Sequence, residues 1–123
     1  MSATLKRTRV VRPPARKQIM KPELSAQAMH RHAEEAIALL KGVASHNRLL
    51  LLCQLVEGER SVGELAQRLE LSQSVVSQHL ALLRRDGIVS GRRDAQSIYY
   101  RISDERARAL MTTLFDLFCS QPG

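Results

Sequence analysis

The chain has 123 residues, of which 44% are hydrophobic, so it is long enough for one domain of ordinary size with a packed core. No apolar run approaches the roughly 18 residues that a membrane-spanning helix needs, and no signal-peptide core lies near the start, so a cytoplasmic protein is predicted. The sequence contains no Cys-x-x-Cys, His-Glu-x-x-His, P-loop or glycine-rich dinucleotide motif, and we therefore expect neither an enzyme nor a cofactor.

The excess positive charge lies in residues 1–22. The formal net charge is +7, and this segment holds 7 of the 19 Lys and Arg residues and no acidic residue, which leaves 12 basic against 12 acidic residues elsewhere. With Pro13 and Pro14 in its middle, the segment is predicted to be a disordered basic arm that adds phosphate contacts. A solubilising leader, or a translation start at Met20, would explain it equally well. Residues 23–120 form the predicted domain.

Two helices are predicted at the start of this domain. The first spans Leu24–Lys41, with apolar residues spaced for one face, and ends at Gly42. Ser45 can cap the second helix, which ends near Gly58. Because its centre, LLLLCQL, is apolar nearly all round, the second helix should be the most buried one.

Two further helices follow, joined by a tight connection. Ser61 caps the short helix VGELAQRL, and Glu64 stands three residues later, which is the capping-box spacing. Ser72 caps the next helix, predicted over Gln73–Asp86. Gly87 then supplies the left-handed residue that ends it.

A hairpin and a last helix complete the predicted fold. The alternating segments Ile88–Arg92 and Ser97–Ile102 flank the polar stretch RRDAQ, a pattern typical of a β-hairpin. Ser103 or Asp104 caps the last helix. Its apolar stripe, in which we expect core residues, consists of Ala107, Leu110, Met111, Leu114, Phe115 and Phe118. The fold class predicted is therefore mainly α with a small β-hairpin.

The Gln73–Asp86 helix has two unlike faces. Its apolar face consists of Val76, Leu80 and Leu83, and its opposite face carries short, uncharged residues: Gln73, Ser74, Ser77, Gln78 and Ala81. Short hydrogen-bonding groups suit a helix that enters the major groove of double-stranded DNA and reads base edges. Together with the preceding short helix, this predicts a helix-turn-helix. The alternative is an ordinary polar surface helix.

Four arginines extend the predicted DNA-binding surface. Arg84 and Arg85, at the end of the recognition helix, are placed for phosphates or for acidic partner residues, and Arg92 and Arg93 at the hairpin tip for the flanking backbone or the minor groove. Stacking on single-stranded nucleic acid is disfavoured because only 3% of the residues are aromatic.

The segment SVGELAQRLELSQSVVSQHLALLRRDGIVSGRRDAQSIYYRI resembles the winged helix-turn-helix of the ArsR-type bacterial repressors, and the resemblance runs from about Leu24 to Cys119. It implies a homodimer built from the first and last helices, which binds a palindromic operator and releases it when an inducer arrives. The apolar stripes on both terminal helices support dimerisation independently.

Metal sensing, which occurs in many such repressors, requires particular ligands. One site of the family uses a cysteine pair in the short helix before the recognition helix, where this chain has VGELAQRL. Another uses Asp and His of the last helix, and SDERARALMTTLFDLFCS contains no His. His30 and His32 point about 200° apart on a helix, so they cannot share a metal by themselves. We expect no metal site.

Cys53 lies in the second predicted helix and Cys119 at the end of the last. Free cysteines are most often small buried hydrophobes, and a static disulfide is not expected in a reducing cytoplasm. One cysteine on each of these helices resembles the persulfide-sensing, BigR/SqrR-like branch of the family, in which the last helix lies alongside the second. The resemblance implies that Cys53 and Cys119 are redox-sensing residues, cross-linked by a persulfide or polysulfide.

The resulting hypothesis is a repressor that leaves its operator when this bridge moves the last helix, which forms part of the dimer interface. Reactive sulfur species would be the inducer, with no membrane partner. Two alternatives stay open: a repressor that responds to a metal or to a general oxidant, and a constitutive DNA-binding protein whose cysteines are incidental.

Overall fold

The computed structural model describes residues 25–119, so the predicted basic arm at 1–22 lies outside the described residues. The chain divides into two compact units, Met1–Ile37 and Ala38–Gly123. The described part of the first unit is the beginning of helix α1. Ser25 caps this helix, and its hydroxyl accepts a hydrogen bond from the Ala28 amide at 3.2 Å.

The described elements are five helices and three short strands. In chain order they are α1 (Ala26–Val43), α2 (His46–Val56), β1 (Arg60–Ser61), α3 (Val62–Leu69), α4 (Gln73–Arg85), β2 (Val89–Asp94), β3 (Ser97–Ile102) and α5 (Glu105–Phe118). The predicted class, mainly α with a β-hairpin, is confirmed. The strand β1 was not predicted, and its antiparallel pairing with β3 makes a three-stranded sheet of order β1-β3-β2.

Side-chain caps set the helix starts. The Ser61 hydroxyl accepts from the Glu64 amide at 3.1 Å and the Glu64 carboxylate accepts from the Ser61 amide at 2.9 Å, so the predicted capping box is confirmed. Asp104, not Ser103, caps α5. The predicted end of the first helix at Gly42 was wrong, because α1 continues through this residue to Val43.

The hairpin is longer than predicted. Its register runs from Val89 opposite Ile102 to Asp94 opposite Ser97, so part of the polar RRDAQ stretch is paired strand. Only Ala95 and Gln96 remain for the turn, and Ala95 adopts a left-handed backbone with φ of 59°. A two-residue turn of this hand matches the twist of paired strands, which explains how polar residues extend the ladder.

The core of the second unit is centred on α2. Leu51, Leu52 and Leu55 have no exposed surface, and α2 packs against α3, α4, α5 and β3. Burying a leucine side chain stabilises a fold by roughly 1.5–3 kcal/mol, so this helix contributes much of the driving force. The expectation that Phe118 belongs to the core was wrong, because its side chain is 77% exposed at the end of α5.

Within residues 25–119 no single helix is long and apolar enough to cross a membrane. Only α1 and α2 counted together across their break reach that length and composition.

Gly87 should be the most sensitive glycine of the helix-to-hairpin connection. Its φ of 76° is left-handed, a conformation that costs other residues roughly 1–2 kcal/mol, so Gly87→Ala should lower the free energy of unfolding by about that amount. Gly63→Ala is the matched control, since α3 has ordinary space there and alanine favours helix. Urea denaturation measures both variants. Equal effects of the two substitutions would contradict the prediction.

Candidate nucleic-acid interface and cysteine pair

Helix α4 is held by its apolar face. Val76, Leu80 and Leu83 have no exposed surface, which confirms the face predicted for them. The Ser72 hydroxyl accepts a hydrogen bond from the Val75 amide at 3.1 Å and starts the helix. These three residues lie one or two turns apart and are all buried in the core. Their burial therefore fixes which side of α4 faces the core.

The opposite face of α4 is turned to solvent. Gln73, Ser74, Ser77 and Gln78 are all exposed, as is Ala81 between the two ends of this face. A side-chain carbon added at Gly63 would stand 3.9 Å from Gln73 Nε2, so Gln73 lies beside the start of α3.

The short turn between α3 and α4 sets the arrangement of these two helices relative to each other. Glu70 ends α3 in the left-handed conformation, with φ of 57°, and its amide donates to carbonyls of the last turn. The Leu71 amide donates to the Ala66 carbonyl at 3.0 Å, which completes a closed helix end. Since α3 packs on α4 across this short turn, the pair is a helix-turn-helix with α4 as the second helix.

The two arginines at the end of α4 differ. Arg85 Nε lies 3.1 Å from Asp86 Oδ1, in an exposed ion pair of little energetic weight. Arg84 is exposed and makes no ion pair with any residue in the described range 25–119. Both guanidinium groups lie at the surface beside the polar face of α4.

The two hairpin arginines also differ. Arg92 Nε lies 2.9 and 3.1 Å from the two carboxylate oxygens of Glu59, and its guanidinium carbon lies 5.1 Å from the centre of the Tyr99 ring. Arg93 is exposed and has no ion-pair partner among the residues that the structure describes. The carboxylate that holds Arg92 comes from the residue before β1.

Charge at Glu59 follows from this contact. The hydrogen bond from Arg92 lowers the pKa of the Glu59 carboxyl, burial acts in the opposite direction, and the charges of Arg92 and Arg101 lower the pKa further. The same hydrogen bond raises the pKa of Arg92. The pair is therefore fully charged at neutral pH.

Cys53 and Cys119 are brought together by the packing of α2 against α5. Cys53 is half-buried and packs against the core, whereas Cys119 is exposed at the end of α5, where its amide donates to the Phe115 carbonyl at 2.7 Å. Burial raises the pKa of the Cys53 thiol, and the charge of Cys119 and a side-chain hydrogen bond with Cys119 raise it further. Two thiols that interact in this way are neighbours in space.

Metal ligands do not gather in the described part of the chain. Within residues 25–119, no three His, Cys, Asp or Glu side chains lie where they could hold one ion. His79, on α4, is half-buried, and its Nδ1 is buried without a hydrogen-bond partner among the described residues.

Sequence reasoning missed the acidic partner of the hairpin. Glu59 and Arg92 lie 33 positions apart, and no local spacing signals their contact. Arg60 was missed too: its Nε donates to the Gln54 carbonyl at 3.1 Å, which ties the end of α2 to β1. A prediction of β1 and its register would have been the only signal for either contact.

Comparison with known proteins agrees with this geometry. The family model for bacterial regulatory proteins of the arsR family matches residues 45–90. The transcriptional activator HlyU of Vibrio cholerae is 47% identical over 96 residues, which cover 78% of this chain and 89% of HlyU. The structure of reduced HlyU from that organism has a TM-score of 0.74 at 48% identity, over 76% of this chain and 99% of that one.

Two other solved structures are similar. The transcriptional repressor BigR from Xylella fastidiosa has a TM-score of 0.70 at 42% identity, over 80% of this chain and all (100%) of that one. The homodimeric winged helix-turn-helix domain of Mb0332 from Mycobacterium bovis has a TM-score of 0.64 at 26% identity, over 76% and 87% of the two chains. The chain has a helix-turn-helix, α3 and α4, followed by a wing, the β2–β3 hairpin. It belongs to the ArsR family and is a DNA-binding transcriptional regulator.

Proposed function

We propose that the protein is a cytoplasmic, dithiol-switched repressor. It binds a palindromic operator as a homodimer and is released when reactive sulfur species cross-link Cys53 and Cys119. The observation that carries this proposal is the packing of α2, which bears a half-buried thiol, against α5, which ends at an exposed thiol that acts on the pKa of the first. The similarity to the structure of reduced HlyU supports it, because a relative is thereby known in a specified redox state.

The first chemical step is assigned to Cys119. Its thiol is exposed, whereas burial and the neighbouring thiol raise the pKa of Cys53 and keep it protonated at neutral pH. The Cys119 thiolate attacks the terminal sulfur of a persulfide, a sulfur–sulfur bond breaks, and the donor leaves as a thiol. Cys119 then carries the persulfide.

Cys53 closes the bridge. Cys53 loses its proton to solvent as it attacks Cys119 Sγ, the inner sulfur of the persulfide, and expels the outer sulfur as hydrosulfide, which leaves a disulfide between the two cysteines. If Cys119 has gained a longer sulfur chain, attack further along it leaves a trisulfide or tetrasulfide. In each case the two thiols lose two electrons, and the departing sulfur gains them. A direct disulfide needs Cα atoms within about 7 Å, and extra sulfur atoms relax that demand. Cellular thiols reverse the bridge by the same exchange.

The bridge can act on DNA binding because α2 has two further connections. Its leucines pack against α4, and the Gln54 carbonyl accepts from Arg60 of β1, which pairs with the hairpin strand β3. A cross-link that draws the end of α5 against α2 therefore strains the support of both DNA-facing elements.

In a homodimer, this strain would change how well the two subunits fit the operator. Exposed apolar side chains on α1, such as Ile37 and Leu40, and on α5, Leu117 and Phe118, support an interface built from the first and last helices. The homodimeric state of the Mb0332 domain supports it as well. Two recognition helices must match half-sites about 34 Å apart, so a shift at the α5 interface changes their fit.

The two cysteines should be jointly required for release. Wild-type protein and the variants Cys53→Ser and Cys119→Ser should bind operator DNA selected from a random duplex library with similar affinity. Polysulfide should release only the wild type, because both thiols form the bridge. Peroxide and zinc, tested in parallel, should release less or none. Electrophoretic mobility shift and intact-mass measurements report release and whole sulfur atoms added internally.

Release of both single variants by polysulfide would refute the switch. If polysulfide adds no internal cross-link to the wild type, the protein is instead a constitutive DNA-binding protein with incidental cysteines. Release by zinc alone would favour a metal sensor. The double variant Cys53→Ser/Cys119→Ser controls for non-specific sulfur damage.

Thiol reactivity should follow exposure and pKa. At pH 7, iodoacetamide should modify Cys119 faster than Cys53, and the Cys53 rate should still be rising above pH 9.0, its ordinary pKa. Cys119→Ser removes the neighbouring charge, so it should move the Cys53 profile to lower pH. Thr112→Ser on α5 is the control and should leave the profile unchanged. Peptide mass spectrometry gives the rates, and faster modification of Cys53 in the wild type would contradict the order of attack.

The polar face of α4 should determine sequence preference. Ser77→Ala and Gln78→Ala should each weaken binding to the selected operator by about 1–3 kcal/mol per lost base contact, and binding to scrambled DNA much less. Gln27→Ala, an exposed glutamine on α1, is the matched control. Fluorescence anisotropy on both duplexes gives the comparison, and equal losses on both would show that this face does not read bases.

A further inference from the structure

We infer that the two adjacent wing arginines have different roles: Arg93 contacts DNA phosphates, whereas Arg92 is a positioning residue that Glu59 holds within the wing. This inference rests on the proposed operator binding through α4 and the hairpin. It separates two residues that sequence reasoning treated as equivalent. The two arginines differ in their contacts, in the charges around them and in the side of the sheet on which they lie.

The guanidinium of Arg92 is occupied on all its nitrogens. Nε contacts both Glu59 oxygens at 2.9 and 3.1 Å, one terminal nitrogen lies 2.9 Å from Glu59 Oε1, and the other lies 3.6 Å from Asp94 Oδ2. The Tyr99 ring lies beneath the group at 5.1 Å. A fork-shaped contact combined with an aromatic face is the geometry in which arginine is hardest to replace. A phosphate that binds Arg92 would have to compete with these contacts.

The charges around Arg92 are balanced. Glu59 also lies 4.0 Å from Arg101 Nε, so two arginines face the two carboxylates of Glu59 and Asp94, and their formal charges sum to zero. A balanced cluster exerts little attraction on DNA phosphates. Arg93 has no such compensation among residues 25–119 and presents a full positive charge.

The two arginines lie on opposite sides of the sheet. Arg92 is paired with Tyr99 and Arg93 with Ile98, and successive side chains of a strand alternate between its faces. Ile98 packs against the core, so Arg93 belongs to the side of the hairpin that covers the helices, beyond the buried part. Arg92 belongs to the outer side, where Glu59 and Arg101 also lie by register. Only Arg93 therefore shares a side with the helix-turn-helix.

Salt dependence of DNA binding separates the two roles. Non-specific duplex DNA is a sufficient probe. Log K falls with log salt, and each phosphate contact increases the magnitude of this slope by about 0.9. Arg93→Ala should lower the slope by about that amount per protomer. Arg92→Ala should leave it unchanged even if affinity falls, because a misplaced wing loses fit without losing a phosphate contact. Glu59→Gln should raise the slope, but not in the Glu59→Gln/Arg92→Ala double variant.

A second measurement tests the clamp without DNA. NMR titration of the Glu59 carboxyl should give a midpoint below the ordinary 4.5 in the wild type, because the contact with Arg92 lowers its pKa, and a higher midpoint in Arg92→Ala. Arg92→Lys should restore the midpoint only partly, since lysine cannot make the forked contact.

An equal fall in slope for Arg92→Ala and Arg93→Ala would overturn the inference, as would an unchanged Glu59 midpoint. Unchanged slopes in all four variants, with a wild type that binds DNA, would also overturn it but leave α4 as the DNA contact. A wild type that binds neither random nor selected duplexes would instead refute the proposed function.

Discussion

Everything in the second unit depends on the burial of α2 between α4, α5 and the sheet. Leu51, Leu52 and Leu55 have no surface left exposed, so α2 cannot move without disturbing each neighbour. Close-packed interiors resist small displacements and transmit them. This explains how one helix can hold α4 in place and also carry a thiol on the element that packs against α5. Structural support and proposed regulation share the same packing.

Ion pairs neutralise some of the surface arginines and leave others with their full charge. The basic excess of the chain lies in residues 1–22, whereas the remainder is formally neutral. Within that neutral remainder, Arg92 is balanced by Glu59, and Arg85 by Asp86, but Arg84 and Arg93 have no ion-pair partner among residues 25–119. Arg84 and Arg93 therefore keep an uncompensated positive charge, which suits their proposed contacts with a phosphate backbone.

The cysteine pair combines opposite environments at a short distance. Cys119 is exposed, which suits the proposed reaction with a dissolved sulfur donor, and Cys53 is half-buried, which suits its proposed role as the resolving thiol. The neighbouring Cys119 raises the pKa of Cys53 in addition to the effect of burial. The exposed apolar end of α5, at Leu117 and Phe118, directly precedes Cys119 and belongs to the surface where a second subunit is proposed.

The sequence by itself determined the local features: the helix starts at Ser61 and Ser72, the buried and polar faces of α4, and the hairpin. These features depend on residues within one or two helical turns, so caps and periodicity record them directly. Only the tertiary structure decided that β1 joins the sheet, that Glu59 occupies Arg92 from 33 positions away, and that Phe118 stays exposed. Those outcomes depend on which distant segments meet, and no local pattern specifies a long-range contact.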